Sequence, residues 1–224
     1  MIFFLVPAIL AGKTPETVAL IGAFAIMLVT IPLAHGIGVK TLAACLGTSV
    51  ALVLTLLLAQ TFTNLAHLSG ISSDEAVFLR ATAGDISLQG LLLAGMIVAA
   101  LGVLDDLTVS QASTVLALQR ANPAQSFGQL FRGAVSVGHD HVAATVNTLV
   151  LAYVGASLPV LLIFSFGGTA FTDAINSEAV AEQVVATLVG SIGLIAAVPV
   201  TTALAALLAT RVRIPADGHA HVHT

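Results

Sequence analysis

The sequence predicts an all-α membrane protein with five transmembrane helices, a short N-terminal apolar segment and short interfacial helices. Three observations predict it. Of 224 residues, 58% are hydrophobic and only 8% charged, against about 25% charged in an ordinary soluble domain. That leaves too few charges to cover a globule in water, so most of the surface must face lipid, in keeping with a mean hydropathy of +1.06. Five apolar stretches each reach the ~20 helical residues that a ~30 Å hydrocarbon core requires. Charges and turn-forming residues collect between those stretches.

Residues 1–11 are apolar but too short to cross the core. No basic stretch precedes them and no small-residue cleavage site closes them, so a signal peptide is not expected. A half-buried interfacial helix and the remainder of a longer N-terminal region both stay open. The spans fall at 17–34, 40–66, 88–118, 142–166 and 184–209. Residues 1–214 are read as one integral membrane domain, and 215–224 as a disordered, His-containing cytosolic tail.

Orientation follows the basic residues. The second, fourth and final connections carry Lys40, Arg120, Arg132, Arg211 and Arg213, whereas the opposite side carries only Lys13 and Arg80. The expectation is a multi-pass plasma-membrane protein with its N-terminus outside and its C-terminus in the cytosol. On the outer side, Ser72-Ser73-Asp74-Glu75 is a helix-start signature. On the inner side, Phe127, Leu130, Phe131 and Ala134 recur at helical spacing, which predicts a short helix in the inner headgroup layer. Gly128 and Gly133 weaken it.

Small residues form stripes suited to close helix packing in lipid: Gly95, Ala99 and Gly102 with Asp106 on the third span, Gly155 on the fourth, and Gly190 and Gly193 on the fifth. The stripes do not explain Asp105 and Asp106, two adjacent carboxylates in an apolar helix. An ionised side chain near the bilayer centre costs roughly 2.5–3.5 kcal/mol on insertion scales. Neighbours on a helix point about 100° apart, so the two can border one cavity without facing one partner. Repulsion and burial disfavour ionising both together, a property suited to proton uptake and release. Thr108, Ser110, Thr145, Asn147 and Thr148 are the supporting polar residues. If the third span ended near residue 104, the acids would instead sit at the headgroup boundary.

Other chemistry is poorly represented. His139 and His141 are two apart and do not share a helical face, so anchoring or a proton entry point fits better than a metal site. His219, His221 and His223 could chelate a transition metal loosely in an extended form, but the tail is read first as disordered and solvated. No nucleophile elbow, phosphate loop or zinc motif occurs, and no enzyme activity or cofactor is expected. Cys45 lacks a partner for an intrachain disulfide, and a net charge of −4 gives no basic patch for nucleic acid.

Three strings carry a resemblance: Leu91–Gly95, Gly102–Gln111 (Gly-Val-Leu-Asp-Asp-Leu-Thr-Val-Ser-Gln) and Asp140–Pro159, with Asn176-Ser-Glu and Val198-Pro-Val-Thr-Thr202 beside them. On these residues the chain resembles YibE/F family membrane proteins over nearly its whole length. Members usually carry an extracytoplasmic region preceded by one more helix, which favours the second reading of residues 1–11. More distantly, the helix order is similar to one SecF-like half of an RND-type permease. That resemblance implies proton coupling through Asp105 or Asp106, although Gln111-Ala-Ser113 stands where the SecF pattern has a further acid and an arginine. The sequence is therefore read as a transporter-like half-unit with an aspartate proton or cation relay, working as a homodimer or with a related membrane subunit. The alternative is a membrane scaffold or assembly factor in which the acids fix helix packing.

Overall fold

The computed structural model describes residues 2–168 and 170–211; the histidine-containing tail lies outside them. Among the described residues there are eight helices and no strand: α1 Ile2–Leu10, α2 Pro15–His35, α3 Val39–Leu65, α4 Asp74–Thr82, α5 Leu88–Ala121, α6 Phe127–Phe166, α7 Phe171–Ile175 and α8 Glu178–Arg211. Five of these, α2, α3, α5, α6 and α8, are long and apolar enough to cross a membrane. Observed ends lie within a few residues of the expected spans, except that α6 and α8 begin earlier.

Local chemistry sets the boundaries. Pro15 opens α2 at a position where its missing N–H is no loss. Gly36, at φ +75°, closes that helix by donating its N–H to Pro32 O. The Ser73 hydroxyl accepts from Ala76 N and starts α4, a short helix that the sequence predicted. Ser87 does the same for α5 through Gly90 N, at 3.0 Å. Asn122 and Pro123 then end α5.

The connection between α5 and α6 differs from expectation. Its helix begins at Phe127, where the Gln129 side chain accepts from Ser126 N, but it does not lie apart in the headgroup layer. It continues without a break to Phe166 as one 40-residue helix. Leu130 and Ala134 are fully buried, so burial within the bundle outweighs the low helix propensity of Gly128 and Gly133.

α5 packs on α2, α3, α6 and α8, and α8 packs on α3, α5 and α6. α1 folds back over α2, setting Leu5 and Phe4 against Gly22. The patterning of α3 suits lipid. Leu42, Leu46, Val50, Val53 and Leu57 form an exposed stripe, while Ala44, Gly47, Thr48, Ala51 and Thr55 face inward. Without a hydrophobic drive between helices in lipid, small residues make the contact and large ones meet acyl chains.

The contact between α3 and α8 shows the principle at two levels. A side chain at Gly47 would overlap the Thr201 side chain, and one at Gly193 would lie 2.5 Å from Thr55 Oγ1. Glycine and threonine thus exchange places between the two antiparallel helices eight residues apart, which fixes their register.

Candidate functional site

α2 contains 21 residues, about 32 Å of helix, which matches a ~30 Å hydrocarbon core. Gly90, near the start of α5, abuts Pro15 and Glu16 at the start of α2. Asp105 lies fifteen residues further along α5, about 23 Å deeper at 1.5 Å per residue. That leaves about 9 Å to the level of His35 at the far end of α2. If the apolar layer coincides with α2, the aspartates sit inside it, nearer the end of the bundle that carries His35, Lys40 and Arg120.

The two carboxylates are treated differently by their surroundings. Asp105 is half-buried among α2, α3 and α5, and its Oδ1 atom is inaccessible and has no hydrogen-bond partner. Asp106 is turned outward with 77% of its side chain exposed, and its Oδ2 atom lies 3.9 Å from His141 Nε2 on α6. That distance gives an electrostatic contact, not a hydrogen bond.

Both carboxylates line a cavity of about 570 Å³ together with Thr30, His35, Lys40, Ser110 and Ser113. A second recess, of about 390 Å³, shares His35, Lys40 and Ser113 with the first and reaches Arg120 in the last turn of α5. The shared lining connects the aspartates with the end of the bundle through polar and basic side chains.

Of the predicted supporting residues, Ser110 lines the cavity. Thr108 is fully buried behind it, with its hydroxyl 2.6 Å from that of Thr48 on α3. The Thr145 and Thr148 hydroxyls instead donate to His141 O and Ala144 O on their own helix, and Asn147 is exposed. Among the described residues, none of these three forms a side-chain hydrogen bond to either aspartate.

The predicted packing glycines also divide. A Cβ at Gly190 would lie 3.0 Å from Leu149, and Gly193 meets Thr55 as described. Gly95, Gly102 and Gly155 have open space where a side chain would be, and Ala99 is exposed. The stripe running to Asp106 is therefore unoccupied within the single chain.

Two important positions were not singled out by the sequence. Gln111 is 3% exposed, and its Nε2 atom donates to Ala134 O on α6 at 2.8 Å and to Thr202 Oγ1 on α8 at 2.6 Å. Gly138 admits this arrangement, since a Cβ there would lie 2.7 Å from Gln111 Oε1. The available signal was a glutamine within an apolar stretch, which in lipid must find partners.

A family model for YibE/F-like proteins matches residues 1–211. The chain belongs to the YibE/F-like family. No curated protein and no solved structure matches it. Family and fold together make this YibE/F-like chain a multi-pass membrane protein.

Proposed function

We propose that the chain is a transporter-like, non-enzymatic half-unit, comparable to one SecF-like half of an RND-type permease, in which Asp105 and Asp106 relay a proton or cation. In this reading it sits in the plasma membrane with its N-terminus outside and its C-terminus in the cytosol. One observation carries the proposal: two carboxylates midway along a membrane-length helix line a cavity that adjoins a recess at the bundle end. Acids in such a position are costly, and access from one face through the cavity is what proton exchange requires. The orphaned Asp105 Oδ1 makes Asp105 the principal carrier, while Asp106, beside His141, is the second member of the relay. The open stripe of Gly95, Ala99 and Gly102 next to Asp106 supports pairing with a second copy or a related subunit, since small residues permit close helix approach.

Dicyclohexylcarbodiimide couples to protonated carboxyl groups in apolar surroundings and tests the relay without a known substrate. The expected result is an adduct on Asp105, found by peptide mass spectrometry, that declines as pH rises and disappears in Asp105→Asn. Absence of any adduct on either aspartate at every pH would remove the relay. The scaffold reading is favoured by the Asp106–His141 contact, which joins α5 to α6. It predicts that Asp106→Asn loosens the bundle, whereas the relay reading predicts an unchanged fold.

A further inference from the structure

We propose that the recess between the α2–α3 turn and the last turns of α5 binds a phosphate monoester or diester, supplied by the headgroup of an anionic lipid or by a soluble phosphate compound. Its lining contains His35, Lys40 and Arg120, with Ser113 and Thr41 as polar neighbours, and no acid. Its volume, about 390 Å³, accommodates a headgroup. Among the described residues, neither Lys40 nor Arg120 has a carboxylate within 4.0 Å, since the one ion pair found joins His141 to Asp106. Among the described residues both cations are therefore open to an outside anion.

The backbone adds to the same field. α3 starts at Gly38, which offers no side-chain cap, and its first intrahelical bond is Leu42 N to Gly38 O. The amides of Val39, Lys40 and Thr41 precede that bond, and all three residues line the recess. Unsatisfied N–H groups and the positive end of the helix dipole both favour an anion. Arginine supplies a planar fork suited to phosphate oxygens, and lysine a point charge. The recess lies where α2 ends and α3 begins, at one end of the bundle, and basic pockets between membrane helices take anionic headgroups.

Full-length protein in detergent is titrated with phosphatidylglycerol or phosphatidylcholine and followed by native mass spectrometry, with and without inorganic phosphate. The wild type is expected to prefer phosphatidylglycerol. Lys40→Gln with Arg120→Gln should weaken the first binding event about tenfold or more, on a scale of about 1 kcal/mol per basic residue near a membrane surface. Lys40→Arg should retain it, and Arg80→Gln, at the opposite end, should not change it. Displacement of the lipid by inorganic phosphate assigns the site to soluble phosphate compounds, and failure to displace assigns it to lipid. Equal affinity in wild type and the double variant, with circular dichroism showing both folded, overturns the proposal. So does an equal loss in Arg80→Gln, which would reveal general attraction to charge. Carbodiimide labelling of Asp105 reads a separate group, so either result stands without the other.

Discussion

Gly138→Ala separates packing from helix propensity. In a helix interior, alanine is favoured over glycine by about 1 kcal/mol, so the change should stabilise α6 wherever space allows. At Gly138 the new methyl would lie 2.7 Å from both Gln111 Oε1 and Val198 Cγ1. Val198 is β-branched and stiff on a helix, and Gln111 is held by two hydrogen bonds. Overpacking costs about 1–3 kcal/mol, and displacing the Gln111 amide adds about 0.6–1.7 kcal/mol, the range for polar contacts between membrane helices. Net destabilisation of about 1–3 kcal/mol is expected. Gly155→Ala provides the control, because the same helix has open space there and the propensity gain is unopposed. Unfolding by dodecyl sulfate in mixed micelles, followed by circular dichroism, gives both values. In a Gln111→Ala background the cost of Gly138→Ala should fall by at least about 0.5 kcal/mol, the coupling expected of residues in contact. Equal effects at Gly138 and Gly155, or strict additivity with Gln111→Ala, would refute the close approach of α6 to Gln111.

Three further outcomes are expected. Ser87→Ala removes the hydroxyl that accepts from Gly90 N and should cost about 1 kcal/mol in the same unfolding assay, while Ser87→Asp should retain the cap. Glu178 accepts from the Ser69 and Gly70 backbone amides, so Glu178→Gln should raise amide exchange at residues 69–72 and leave α5 unchanged in hydrogen-exchange mass spectrometry. In a Cys45→Ala background, cysteines at Ser73 and Ser126 should react with an impermeant thiol reagent from opposite faces; reaction from the same face would defeat the proposed orientation.

Helix existence was legible because its signals are local. Ser73 marks a start and apolar length marks the spans, whereas the caps at Ser87, Ser126 and Gly36 were seen only in the structure. Helix rotation was less legible. A glycine's neighbours depend on which way its helix faces, so Gly95 and Gly193 look alike in sequence, yet one faces open space and the other meets Thr55. The outward leucines of α3 show why hydrophobicity does not resolve this: lipid and protein interior are both apolar, and only side-chain size separates the faces. The continuity of α6 was missed because Gly128 and Gly133 argue locally against a helix that Leu130 and Ala134 secure by burial. For the aspartates, position within the third span was readable, but not their division into a half-buried and an outward-facing carboxylate. That depends on how α2, α3 and α6, separate stretches of the chain, pack on α5.

The off-centre position of the aspartates gives the two legs of any charge movement unequal electrical distances. A membrane potential acts with about 2.3 kcal/mol per elementary charge per 100 mV over the full thickness. Across a uniform layer, about 23 Å of a 32 Å path would carry roughly 1.7 kcal/mol of that, and the remaining 9 Å roughly 0.6 kcal/mol. Water entering the cavity would shrink the smaller share further, because a polarisable channel sustains little field. A proton reaching Asp105 through the cavity would therefore arrive almost independently of voltage, and its exchange with the opposite face would carry nearly all of the voltage dependence.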